Sequence, residues 1–182
     1  MKVSVEAIKA LRDDTGVPIG DCKSALEDAG GDQGKAKELL KRRGFEAAQK
    51  RKDRATSVGR IESYLHHDGR VGVLVEVNCE TDFVARLPEF QQFCRDVAMQ
   101  VASQQPQYVK SEELPPAQLK DAKQLGKTTQ DVAREVCLLE QPFIKDQGQT
   151  IGQYLTALIA KTGENIVVRR FVRFGLGEPL RG

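Results

Sequence analysis

The sequence predicts an α+β protein: a three-helix bundle over residues 1–44, a basic helical linker over 45–57, and an antiparallel sheet with helices on one face over 58–182. Three observations carry this. Up to Gly44, apolar residues recur three and four apart in short segments that open on capping residues. Arg60–His66 and Val71–Val77 read as strands around Asp68-Gly69, a strong hairpin dipeptide. A last β-run, Ile166–Phe174, follows several helical segments, so strands at both ends flank helices as in an α+β sheet.

In the bundle, Ser4 caps a helix whose residues Val5, Ile8 and Leu11 share one face, and Thr15-Gly16-Val17-Pro18 ends it. Pro18 suits the first turn of a second helix, which carries Cys22, Ala25 and Leu26 to Gly30. Asp32 caps a third with Ala36, Leu39 and Leu40 inward, and Gly44 is expected to terminate it. Three such helices with short turns make a bundle of the ubiquitin-associated type, with a core that is small by itself. Residues 45–57 continue as a basic helix running into Ala55-Thr56-Ser57. Beyond the hairpin, Phe90, Phe93, Cys94, Val97, Ala98 and Val101 form a helical stripe, read as core. Pro115-Pro116 opens a further short helix, and Thr150-Ile151-Gly152-Gln153 is a capping box for another, closed by Gly163.

Of the 182 residues, forty per cent are hydrophobic and thirty per cent charged, ordinary for a globular domain able to bury a core. Charges stand in the first residues in place of a leader's apolar block, and no apolar run reaches the roughly 18 residues of a membrane span. A cytoplasmic protein without a membrane partner is expected. Cys22, Cys79, Cys94 and Cys137 form no C-x-x-C pair and read as reduced, buried thiols. His66 and His67, neighbours on a predicted strand, are expected on opposite faces. No metal site or cofactor is expected. Gly126-Lys127-Thr128 resembles the end of a phosphate loop, but Asp121 stands where its first glycine belongs. No nucleophile elbow or metalloprotease motif is present, so a non-enzymatic role is expected.

Net charge is +2, yet residues 41–54 hold seven cations against Glu46 and Asp53. This is either a solvated helix face or a patch that steers toward an acidic partner. Arg169, Arg170 and Arg173 are expected to solvate the open sheet face and blunt its edge. An RNA-binding or ribosome-associated module using both groups is the alternative reading. A pI of about 8.3 lies below the roughly 9 of dedicated nucleic-acid domains, so direct nucleic-acid binding is not expected.

The most informative stretch is Asn78-Cys79-Glu80-Thr81-Asp82-Phe83-Val84-Ala85-Arg86. It joins a strand to a helix opening near Pro88 and sets an acid and a large aromatic at the junction. Spacing alone leaves two readings of Phe83: tucked under its own helix, or held out as a binding group on a rigid frame.

This stretch resembles the signature of the elongation factor Ts family, and four other segments resemble that family in order. They are Leu11-Arg12, Thr15-Gly16 and Asp21-Cys22-Lys23 with Ala25-Leu26; Leu138 to Phe143; Gly163-Glu164-Asn165-Ile166; and Arg170-Phe171 with Arg173-Phe174. The resemblance implies a guanine-nucleotide exchange factor for elongation factor Tu, bound to it in GDP-loaded and nucleotide-free states. It implies that Thr81, Asp82, Phe83 and Val84 dislodge the partner's Mg²⁺. Docking is expected through Ile19, Gly20, Lys23, Lys50 and Arg51. Two departures stand out. Pro18-Ile19-Gly20 replaces the usual Gly-Met-Met, and residues 126–136 are shorter than usual and lack a basic helix common there. The chain resembles the family's short members, with one core unit and dimeric action. A homodimer is therefore expected, with Ile166, Val168 and Phe171 supplying apolar area on the last strand.

Overall fold

A computed structural model describes residues 3–179. The chain divides into two compact units, one formed by residues 1–54 with 156–165, the other by 55–155 with 166–182.

The first unit contains α1 (Val5–Thr15), α2 (Ile19–Asp28) and α3 (Gln33–Arg51). Ser4 Oγ accepts from Ala7 N and Asp32 Oδ1 accepts from Lys35 N, so both expected caps form. Ile8, Leu11, Cys22, Ala25, Leu26, Ala36 and Leu40 make its core. Gly44 does not end the third helix, contrary to the sequence expectation. It lies within α3, where a Cβ would come within 3.0 Å of Ala160 Cβ, so glycine serves close approach. The bundle helix and the expected basic linker are thus one helix to Arg51, and residues 156–165 join this unit as well.

The second unit is built on an antiparallel sheet of β1 (Val58–Leu65), β2 (Val71–Cys79) and β5 (Ile166–Gly175), with β2 in the centre. Helix α5 (Pro88–Gln104) packs across β1 and β2. Its stripe of Phe90, Phe93, Cys94, Val97, Ala98 and Val101 is fully buried against Val73, Val75 and Val77. Burial raises the Cys94 thiol to about 12, which keeps it protonated. All four cysteines are buried thiols outside any disulfide.

Three features differ from or extend the sequence reading. Strand β1 ends at Leu65, so His66 and His67 lie in the turn. Their rings are 4.3 Å apart rather than on opposite faces, because strand alternation no longer applies. Gly126-Lys127-Thr128 joins α6 (Pro116–Gln124) to α7 (Thr129–Val136): Gly126 is left-handed with φ 74°, and Thr128 forms a capping box with Asp131. That box holds the Asp131 carboxyl below its ordinary value through two hydrogen bonds from Thr128. A small hairpin, β3 (Pro142–Phe143) with β4 (Asp146–Thr150), precedes α8 (Ile151–Thr162). At the start of α8 the expected box forms, Thr150 N donating to Gln153 Oε1 at 2.9 Å and Gln153 N to Thr150 Oγ1 at 3.1 Å.

The open sheet face also departs from expectation. Ile166 and Val168 are only 2% and 3% exposed, and they belong to the core. Pairing between β2 and β5 shifts at Glu76/Val77, leaving Arg169 as an extra residue, so the inward side changes parity along β5. The apolar groups left outside are Ile61, Leu65, Leu74, Val172 and Phe174. The pairings Ser63–Leu74–Val172 and Leu65–Gly72–Phe174 place four of these in two adjacent rows.

Candidate functional site

Strand β2 delivers the chain to the site along an inward row of Val73, Val75, Val77 and Cys79. Immediately after it, Asp82–Ala85 form a single helical turn, α4. Thr81 is its N-cap: the residue is extended, with φ −133° and ψ 156°, and its Oγ1 accepts from Val84 N at 3.4 Å. Its carbonyl accepts from Ala85 N at 3.2 Å, and Arg86 N donates to the Asp82 carbonyl. Leu87 N reaches the Val84 carbonyl, so the turn runs without a gap to α5, where Pro88 is the first helical residue.

One turn has room for one anchor. Val84 fills that role at 6% exposure, packed into the core. Phe83 therefore points the other way and is 84% exposed. An apolar ring left in water on a capped turn contributes nothing to the core. The tucked reading of Phe83 is excluded. Asp82 is also exposed, with only a long 4.0 Å approach to Arg86, so its carboxylate remains available.

The other expected residues lie in the first unit. Ile19, Gly20 and Lys23 fall at spacings of three and four on α2, on one exposed face, with Ile19 59% exposed. Lys50 is exposed and Arg51 half-buried at the end of α3. The sequence reading passed over an aromatic in the basic stretch. Phe45 is 56% exposed, and Lys41, Arg42 and Gln49 lie three and four residues from it on its own face of α3.

On the open sheet face, Arg170 Nε donates to Glu76 Oε2 at 2.6 Å and Arg169 Nη1 to Glu76 Oε1 at 3.4 Å. Arg170 first, then burial in opposition, sets the Glu76 carboxyl, which lies below its ordinary value. Arg173 does not solvate the face: its side chain is 11% exposed, and it donates to the Ala102 carbonyl and to Glu178. Among the described residues, no group of three or more His, Cys, Asp and Glu is arranged to hold a metal, and no helix is long and apolar enough to cross a membrane.

The family model for elongation factor Ts matches residues 34–133 and 126–178. This chain belongs to the elongation factor Ts family. Similar proteins named elongation factor Ts include that of Rubrobacter xylanophilus, 48% identical over 97% of this chain and 100% of its own length. That of Carboxydothermus hydrogenoformans is 46% identical over 98% of this chain and 91% of its own. That of an Anaeromyxobacter species is 44% identical over 98% and 90%. Members of the elongation factor Ts family are nucleotide-exchange factors of translation elongation. The two matched stretches of the family model overlap at 126–133.

Proposed function

We propose that this chain catalyses release of GDP from elongation factor Tu by inserting the Thr81–Val84 turn beside the partner's Mg²⁺ site. The observation that carries the reading is the pair of facts at α4: Phe83 is 84% exposed on a turn whose backbone is capped and whose Val84 is buried. A guanine nucleotide is held by phosphate contacts and Mg²⁺ together, so separating the groups that hold the ion weakens both. Phe83 acts as the apolar wedge, and Asp82 competes for hydrogen-bond donors near the ion. Ile19, Gly20, Lys23, Lys50 and Arg51 supply docking. By linkage, a factor that weakens GDP binding is itself weakened by GDP in the same ratio. The factor therefore speeds equilibration without selecting GTP, performs no covalent chemistry, and works in the cytoplasm.

The same reading includes a homodimer. Ile61, Leu65, Leu74, Val172 and Phe174 make an apolar face on a three-stranded sheet, and a second copy supplies a matching one.

The test is release of a fluorescent GDP analogue from elongation factor Tu. Catalytic amounts of the chain accelerate release if the proposal holds. Release that is stoichiometric, or no faster than spontaneous, overturns it.

A second reading, an RNA-binding or ribosome-associated module, has one observation in its favour: Phe45 stands exposed among cations on α3. RNA binding abolished by Phe45→Ala, with exchange intact, would favour it.

A further inference from the structure

We infer that Cys79 is a positioning residue for exchange: its buried thiol fixes the carbonyl of Thr81 and so aims Phe83. The inference rests on the role proposed above for the Thr81–Val84 turn.

Cys79 ends the central strand, paired with Val58 on β1 and Ile166 on β5, so its backbone is held on both sides. It is fully buried, the last of the inward row that begins with Val73. Those preceding inward residues are all valine, and valine has no donor. The Cys79 thiol donates to the Thr81 carbonyl oxygen at 3.2 Å. That oxygen also accepts from Ala85 N at 3.2 Å, the first helical bond of α4. The carbonyl at the helix cap is therefore held from two directions, once from the turn and once from the sheet.

This second bond matters because α4 is only four residues long. A single turn does not hold its own direction, since helix nucleation is unfavourable and gains little before a few turns have formed. Its axis must be set from outside; Val84 packing inward, the backbone continuing into α5 and the thiol holding the cap all contribute, and of these the thiol acts on the cap itself. Phe83 lies two residues beyond that cap, so tilting the cap displaces the ring. Cysteine suits the position because it packs as a small hydrophobe yet carries a weak donor. Serine would donate but put a hydroxyl into an apolar row; valine would pack but leave the carbonyl with one donor fewer.

These opposed properties give the test. Cys79→Ser, Cys79→Val and Cys79→Ala are compared in the full chain by melting temperature and by GDP release from elongation factor Tu across factor concentrations. Phe83→Ala is the control. The expected result is a crossover. Val melts at least as high as Ser, but the maximal release rate falls about threefold in Val and in Ala and is retained in Ser, as suits the loss of one S–H···O bond. The concentration for half-maximal rate stays close to that of the parent. Ala guards against a Val variant that is too large for the site. Rates that follow melting temperature, or that are equal in all three, overturn the inference while leaving the turn's role standing if Phe83→Ala is slow. A fully active Phe83→Ala overturns the turn's role, and this inference with it.

Discussion

Phe83 and Val84 are neighbours in the chain and opposites in burial, 84% exposed and 6% exposed. The cap at Thr81 turns the backbone so that two successive apolar side chains serve two different purposes. Val84 holds the turn to the core, and Phe83 is left in solvent.

Truncating the two should therefore separate stability from exchange. Phe83→Ala is expected to slow GDP release at least tenfold with an unchanged melting curve, as for an exposed hot spot of ~2 kcal/mol. Val84→Ala should lower stability by about 1–2 kcal/mol, from two lost methyl groups and the space they leave. Thermal melting beside a release assay checks both. Loss of the cooperative transition in Phe83→Ala would count against the wedge.

Asp82→Ala should reduce exchange, with a deficit that grows with Mg²⁺ concentration. Its carboxylate is exposed and held only by a 4.0 Å approach to Arg86, leaving it available for the partner. Release rates measured across a magnesium series decide this; an equal deficit throughout would confine Asp82 to binding.

Reversing Lys50 and Arg51 to Glu should slow association more than it speeds dissociation. Surface charges act at long range and are screened over about 8–10 Å at moderate salt. The effect should shrink in stopped-flow measurements as salt rises, and a salt-independent loss would point to a buried contact.

Acid should weaken the sheet through Glu76. Its folded carboxyl lies below the ordinary 4.5 because Arg170 bonds the charged form. A depressed folded value contributes stability that is present above the ordinary value and lost as pH falls through the folded one. Glu76→Gln should therefore flatten the fall in melting temperature below pH 4.5, while near neutrality it should melt lower than the parent. A parallel shift at every pH would show that the charge state of Glu76 is irrelevant.

Phe174→Asp or Leu74→Asp should convert a dimer to a species of monomer mass in light scattering. Both side chains lie on the open face, 58% and 47% exposed, where burial against a second copy would make a charge costly. A parent chain that is already monomeric at micromolar concentration would end the dimer proposal.

The sequence by itself determined what depends on a few consecutive residues. The caps at Ser4, Asp32 and Thr150, the turn at Asp68-Gly69 and the buried stripe from Phe90 to Val101 were all legible, because each rests on local hydrogen bonds or on one period of one element. Helix α7 was legible too, in the Thr128-x-x-Asp131 box, though it was not read. The tertiary structure decided what depends on distant neighbours. Gly44 looks like a helix stop until Ala160 is seen to approach it. The sides of β5 cannot be assigned by alternation, since the bulge at Arg169 changes parity and only pairing with β2 reveals it. Phe83 and Val84 are equally apolar in sequence. Which one faces inward was settled by how the capped turn after β2 packs on the core, a choice made by packing rather than by propensity.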